Sequence, residues 1–314
     1  MFNLCFRLSY FEKGLILIWL VVQISLLIIF GININLEAEK YTTAAIYLAK
    51  NGNLPEPKYI FYSLPIVTIY LFNQIGLSYL GVVLFQILLN GAATVLLYSL
   101  TNGITGKSEV ARITCLLYII FLPLQTWNVY LYTESIFFSL TIVFAYLLFK
   151  FPPNSIKNFF IALPVLILLI TTRPFGLLFI LPFVIYAIII SKERFHKILL
   201  IISILALGSF LFLINYAFKG GGDMDAMKPF KEEHIICFLA NPNPQKIDVI
   251  ETNKPIYDIA YYIYHNPLHF GKLIGKRLFS FFNLTRPYYS NYHNIYLIVI
   301  MFPTYILLMY VLMK

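Results

Sequence analysis

Long apolar runs, each closed by a short polar or basic stretch, recur along this chain. They cover residues 14–31, 59–76, 79–100, 112–127, 134–150, 158–171, 174–190, 197–218 and 293–313. Within each run apolar residues are continuous rather than alternating with a period of two, which predicts helices and not barrel strands. A helix needs about 20 apolar residues to cross a bilayer, and two runs are weak by that measure. Ser63, Pro65, Thr68, Asn73 and Gln74 interrupt 59–76, and 158–171 has to thin the bilayer or pair with 174–190 as a broken hairpin. In the polar stretch 32–58, Ala44, Ala45, Tyr47 and Leu48 recur at helical spacing and Gly52 is a natural stop, predicting a short helix on the membrane surface. The polar stretch 219–292 holds Gly220-Gly221-Gly222 and Asn241-Pro242-Asn243-Pro244. Its second half, 256–282, mixes Tyr, Ile, Leu and Phe with Lys272, Lys276 and Arg277, an amphipathic pattern expected to lie on the outer membrane surface.

Composition agrees with that pattern. Of 314 residues, 60% are hydrophobic and only 12% charged, with a mean hydropathy of +0.80. A single soluble domain would have nowhere to bury such a surface, and a disordered chain needs low hydrophobicity. The net charge of +9 would suggest nucleic acid in a soluble protein, but no basic helix or RNA-binding motif accompanies it, so no nucleic-acid partner is expected. The basic residues instead mark cytoplasmic loops. If 59–76 does not span, ten Lys and Arg fall in inner loops (Arg7, Lys13, Lys107, Arg112, Lys150, Lys157, Lys192, Arg194, Lys197, Lys314) against four in short outer loops (Lys40, Lys50, Lys58, Arg173). If it spans, the count becomes three inside and eleven outside. The positive-inside rule therefore makes 59–76 re-entrant or interfacial.

The expected architecture is an all-α polytopic transmembrane bundle. It has about eight spanning helices, interfacial helices on the outer face and both ends cytoplasmic. Residues 1–218 form the main module with a first outer loop at 32–78, 219–292 an extracytoplasmic loop, and 293–314 a last transmembrane helix. The first run follows Arg7 and Lys13 and lacks a small-residue cleavage site, which predicts a retained anchor in a cell membrane. Cys5, Cys115 and Cys237 have neither metal nor disulfide spacing, and Cys115 is expected in packing.

Charge scarcity makes the outer acids informative. Only seven acidic residues precede position 219, and Glu12, Glu109 and Glu193 sit beside Lys or Arg in inner loops. Glu37 and Glu39 stand just ahead of the surface helix, where a carboxylate either complements the helix dipole or serves as a general base at the lipid–water boundary. Glu134, in Tyr132-Thr133-Glu134-Ser135, opens an apolar run; it is a functional group at the end of a span or a first-turn partner of a Thr133 cap. Arg173-Pro174 interrupts an apolar stretch, so Arg173 belongs at the interface or in a polar cavity, as a snorkelling marker or as a phosphate ligand. Two carboxylates and an arginine on one face suit a lipid-phosphate substrate: the arginine holds the phosphate, one carboxylate activates a nucleophile, and the other orients it or helps hold a divalent metal. His265 and His269 are four apart on an expected helix but lack a carboxylate at zinc spacing.

At these residues the chain resembles the membrane-embedded glycosyltransferases of the C-type fold (GT-C), close to the family of protein O-mannosyltransferases and the bacterial aminoarabinose transferase. The resemblance rests on Glu37-Ala38-Glu39-Lys40-Tyr41 followed by Ala45, Leu48, Asn51 and Gly52. It continues through the aromatic, proline-bearing segment from Tyr59 and Tyr62 to Gly76, then Trp127-Asn128 through Thr133-Glu134, and Thr172-Arg173-Pro174. It covers residues 14–190. It implies transfer of a sugar from a polyprenyl-phosphate donor to a glycan, lipid or protein acceptor at the extracytoplasmic face, by direct displacement at the anomeric carbon. By position Glu37 matches the family's catalytic acid, which is more often Asp, so Glu39 stays as a rival. Glu134 matches its second carboxylate, and Arg173 is a candidate contact to the lipid phosphate, with Tyr41, Tyr62 and Asn128 as further substrate-binding candidates. Two other classes compete: a transporter or flippase of lipid-linked sugars, and an inactive assembly subunit.

Overall fold

The computed structural model describes residues 9–191, 193–218, 225, 227–235, 241, 244–252 and 254–313. Expectations placed on Cys5, Arg7, Lys192, the Gly220–Gly222 run, Cys237, Pro242, Asn243 and Lys314 lie outside the described residues. The described residues are mostly helical and contain no strand, only one isolated parallel bridge between Asn33 and Tyr130. The chain divides into two units, residues 1–213 and 214–314. The second unit therefore takes in both the polar loop and the last helix, which the sequence reading separates.

In the first unit α1 (Tyr10–Phe30) opens with a capping box. Ser9 Oγ accepts from the Glu12 N–H, and the Glu12 carboxylate accepts from the Ser9 N–H. Helix α2 (Glu37–Asn51) stops where expected, at Gly52, whose φ of 72° suits only glycine and whose N–H donates to the Leu48 carbonyl. Its inner face is Ala38, Tyr41, Thr42, Ala44 and Ala45, whereas Tyr47 is exposed. Residues 59–76 fold as a 3-10 turn (Pro57–Tyr62) and α3 (Ser63–Gln74). Helix α4 (Ser78–Thr105) is followed by α5 (Ser108–Ile120), the single turn α6 (Leu122–Gln125), a 3-10 turn (Thr126–Val129), α7 (Glu134–Lys150) and α8 (Ile156–Thr172). A 3-10 turn (Pro174–Phe179), α9 (Ile180–Ile190) and α10 (Glu193–Phe218) complete this part of the chain. The second unit carries α11 (Lys228–Lys231), α12 (Pro255–His265), α13 (Pro267–Phe282) and α14 (Asn291–Leu312).

The expected eight spans are corrected. By length and composition four helices among the described residues can cross a membrane: α1, α4, α10 and α14. A fifth is reached if α5 and the Leu122–Val129 segment, bent by 61°, count as one broken span. The run 112–127 breaks because Pro123 cannot continue α5. The runs 134–150 and 158–171 become helices of 17 residues each, about 25 Å long against a hydrocarbon core of about 30 Å. The run 174–190 spends its first six residues in a 3-10 turn and leaves only 11 for α9.

The first unit is tied together level by level. At one end Arg112 approaches Glu12 at 3.9 Å. Higher along α1, Trp19 Nε1 donates to Asn90 Oδ1, and Asn90 Nδ2 donates to the Tyr118 hydroxyl. Above these lies a closed amide cluster. Gln23 Nε2 donates to Gln125 Oε1, Asn128 Nδ2 donates to both Gln23 and Gln125, and Gln125 Nε2 donates to the Tyr118 carbonyl that the helix break sets free. Apolar packing fills the rest: Tyr41, Ile66, Ile69, Val83 and Leu131 in one cluster, Phe137, Phe144, Phe159, Leu169 and Phe183 in another. Cys115 is buried in a third beside Leu15 and Ile119, its thiol against the Thr94 carbonyl.

At the turn after α8, Gly176 lets the chain fold back onto the helix end. A Cβ there would stand 2.4 Å from the Leu169 carbonyl oxygen, and backbone cannot yield. Gly176→Ala is expected to destabilise the first unit by about 1–3 kcal/mol through overpacking. A lowered midpoint of thermal unfolding in detergent checks it, and an unchanged midpoint would contradict it.

In the second unit the buried Glu233 is the organising group. Its carboxylate accepts from the Gln245 N–H and from Asn241 Nδ2, each at 2.7 Å, and faces His269 Nε2 at 3.2 Å. The Gln245 N–H and the Asn241 amide hold its carboxyl down at about 2, against the ordinary 4.5. The folded-state value is depressed, so this stabilisation is complete above the ordinary carboxylate range and is lost as pH falls through about 2. Glu233→Gln is expected to release residues 244–250 at neutral pH, at a cost of about 3 kcal/mol for a hydrogen-bonded buried charge. Hydrogen exchange of those amides, corrected for the intrinsic rate, measures it; unchanged protection would refute it.

Candidate functional site

The site is built where α2 begins, because a short parallel bridge clamps the chain there. The Asn33 N–H donates to the Val129 carbonyl at 2.9 Å, and the Leu131 N–H donates to the Asn33 carbonyl at 3.1 Å. The Tyr132 hydroxyl adds a bond to the Asn35 carbonyl at 3.2 Å. These bonds carry the start of α2 to the start of α7, although about 95 residues separate them in sequence. Leu36, which caps α2 immediately before Glu37, sits at φ 56°, a left-handed conformation costly for a branched side chain. Strain is thus stored one residue from the first carboxylate.

Glu37 is half-buried, and its Oε1 accepts a 2.6 Å bond from the Tyr41 hydroxyl one turn along α2. Burial, reinforced by that bond to the Glu37 carboxylate, pushes the Tyr41 phenol far above its ordinary range, so the hydroxyl stays protonated and donates. Both Glu37 and Glu134 raise Tyr41 electrostatically; Tyr132 is raised chiefly by burial, and the charges of Glu37 and Glu134 add to that while a backbone hydrogen bond from Glu37 lowers it. The two carboxylates therefore share one neighbourhood. Glu134 is nine-tenths buried, and Arg173 Nη1 reaches its Oε1 at 2.6 Å. Thr133 occupies the position before α7, but its hydroxyl donates to Glu134 Oε2 instead of capping the helix, so the expected cap is absent. The Arg173 side chain keeps about a third of its surface exposed (36%) while its Nη1 bonds Glu134.

The remaining expected site residues divide. Tyr62 packs its ring on Tyr41 at 5.5 Å and belongs to the same cluster. Glu39 is exposed; lying two positions from Glu37, it projects from a different side of α2. Asn128 is fully buried, with its amide bonded to Gln23 and Gln125 and its carbonyl accepting from Ser135 at 2.6 Å. Sequence reasoning passed over Lys40 and Tyr132. The Lys40 ammonium lies 4.7 Å from the Tyr62 ring centroid, in cation–π range, and Tyr132 stacks on Trp127 at 5.5 Å. Their adjacency to Tyr41 and Glu134 was the available signal. In the second unit, His265 ends α12 and His269 lies in α13 across the break at Asn266, so the expected four-residue pair does not share a helix. Among the described residues no three His, Cys, Asp or Glu side chains converge to hold a metal.

In chemical terms the cluster offers a half-exposed carboxylate oriented by a protonated phenol, a second carboxylate bound to an arginine, an additional cation over an aromatic ring, and a strained backbone at its edge. Protein-family models, curated proteins and solved structures were compared with the chain, and none matches.

Proposed function

We propose that this protein is a membrane glycosyltransferase that moves a sugar from a polyprenyl-phosphate donor to an acceptor at the extracytoplasmic face. The observation that carries the reading is the convergence of Glu37, Tyr41, Glu134 and Arg173 from three distant stretches of an apolar chain, the first two stretches joined by the Asn33 bridge and the third by the packing of α8 on α7. Arg173, whose side chain is partly exposed, binds the donor's phosphate. Glu37 takes the proton from an acceptor hydroxyl or amine. The acceptor then forms its bond to the anomeric carbon as the carbon–oxygen bond to the phosphate breaks, and the departing polyprenyl phosphate is stabilised by Arg173. Glu134 holds the arginine in place. The resemblance of residues 14–190 to GT-C transferases supports the same roles.

A flippase reading draws on one observation, the broken α5–α6 helix beside polar side chains in α1 and α4. Against it, Gln23, Gln125 and Asn128 are bonded to one another rather than open to a substrate. The direct test is the full-length protein reconstituted in liposomes with a panel of polyprenyl-phosphate sugars and a membrane-extract acceptor. Release of polyprenyl phosphate coupled to acceptor labelling is the expected result. Translocation of intact donor without cleavage would overturn the transferase in favour of transport.

A further inference from the structure

The sequence pattern expects α13 to lie flat on a membrane; the structure gives it a different attitude and a defined partner. Helix α13 has two faces. His269, Leu273 and Arg277 point into the second unit: His269 bonds the Tyr262 hydroxyl at 2.6 Å and faces Glu233, Leu273 is buried, and Arg277 donates to the His234 and Pro229 carbonyls. The opposite face carries Leu268, Phe279 and Phe282, exposed by 80%, 76% and 55%. Lys272 and Lys276 border that stripe and are exposed, and the Lys276 ammonium also approaches Glu233 Oε2 at 4.0 Å. From residue 259 to the last residue the sequence has no Asp or Glu against five Lys and Arg.

The Phe282 ring packs on Tyr305 of α14 at 6.3 Å. Tyr305 lies well inside α14, about 21 Å from its start, and none of α14's apolar window is buried in the protein. With α14 read as a membrane-crossing helix, the C-terminal end of α13 lies beside hydrocarbon, not above it. Lys276 stands one and a half turns earlier, about 9 Å along α13. Lys276 and, a further turn back, Lys272 therefore lie nearer the headgroups than Phe282, within reach of phosphates by snorkelling.

We infer that α13 is an oblique membrane wedge for an anionic phospholipid leaflet: Phe279 and Phe282 insert beside α14 while Lys272 and Lys276 bind headgroup phosphates. The occupant is lipid because the apolar stripe is bordered by cations, no acid follows Asp258 in the chain, and the stripe runs into a helix that itself needs lipid. This inference is independent of the transferase reading.

The test uses the full-length protein in vesicles of equal parts phosphatidylcholine and phosphatidylglycerol. Spin labels are placed by Phe279→Cys and, separately, Leu268→Cys, in a chain with Cys5→Ser, Cys115→Ala and Cys237→Ser. The label at 279 is expected to favour collision with oxygen over an aqueous nickel chelate several-fold more than the label at 268. That preference should fall in pure phosphatidylcholine and in the Lys272→Gln/Lys276→Gln variant. Native mass spectrometry of the otherwise unaltered protein should retain phosphatidylglycerol over phosphatidylcholine, and lose that bias in the lysine variant. Equal nickel access at both positions overturns the wedge. Spin–spin broadening with shielding from both reagents shows a second copy instead and also overturns it. Insertion unaffected by lipid charge or the lysines removes the anionic partner.

Discussion

Glu37→Gln is expected to reduce the proposed sugar transfer by about 10²–10⁴-fold, the range for removing a general base, while Glu39→Gln is expected to stay within a few-fold of the wild type. The pair is diagnostic because the first substitution leaves the local structure alone. A glutamine carbonyl can still accept the Tyr41 hydroxyl, which bonds the carboxylate at 2.6 Å. The apolar side of α2 around Ala38 and Ala45 does not involve position 37. What disappears is the charge, and with it the capacity to take a proton. Glu39 stands exposed two positions further along, and Lys40, one position on, turns to Tyr62. Initial rates with a saturating donor, alongside the unfolding midpoint of each variant, separate chemistry from folding. Equal losses for both variants, or a loss at 39 alone, would reassign the base.

Arg173→Ala lowers stability by about 2 kcal/mol, more than Arg173→Ala loses when combined with Glu134→Gln. Removing one partner of a buried ion pair leaves the other charge uncompensated at about 3–5 kcal/mol; the third of Arg173 that meets solvent moderates that cost. In the double variant no buried carboxylate is left unpaired, so the two losses fail to add. The unfolding midpoints of the four proteins in one detergent give the cycle. Strict additivity would mean that the 2.6 Å contact contributes nothing. The transfer rate of Arg173→Lys is a second readout. A point charge cannot bond Glu134 and a phosphate at once with the fork of a guanidinium, so a slowed reaction with a raised donor KM is expected.

The sequence showed much of α2 and little of what holds it in place. Gly52 and the polar-to-apolar rhythm of 37–51 identify the helix and its end because both are local properties. Glu134 and Arg173 were visible as isolated charges in apolar surroundings, a cost that forces them to find partners. Their direct pairing was not visible, since it depends on α7 and α8 packing side by side. The clamp at Asn33 had no signal at all: a backbone bridge leaves no mark on side-chain identity. Asn128 shows the converse difficulty. Polar residues in an aromatic stretch read as ligand contacts, yet this one completes an amide cluster under the surface. The count of eight spans failed because hydropathy registers apolarity and not the Pro123 break or the 3-10 turn after Arg173.

That amide cluster has a consequence for how the helices find their places. Apolar helices in a lipid-like surrounding slide past one another at small cost, since one leucine contact resembles the next. Gln23 meets Gln125 and Asn128 in a single alignment of α1 with the broken helix. A shift of α1 by one turn would leave several amide groups facing hydrocarbon, each costing on the order of 1–3 kcal/mol unpaired. The cluster thus acts as a registration key. It selects the one longitudinal setting in which Asn33, one residue beyond the turn that ends α1, arrives opposite Val129 and Leu131 to close the bridge.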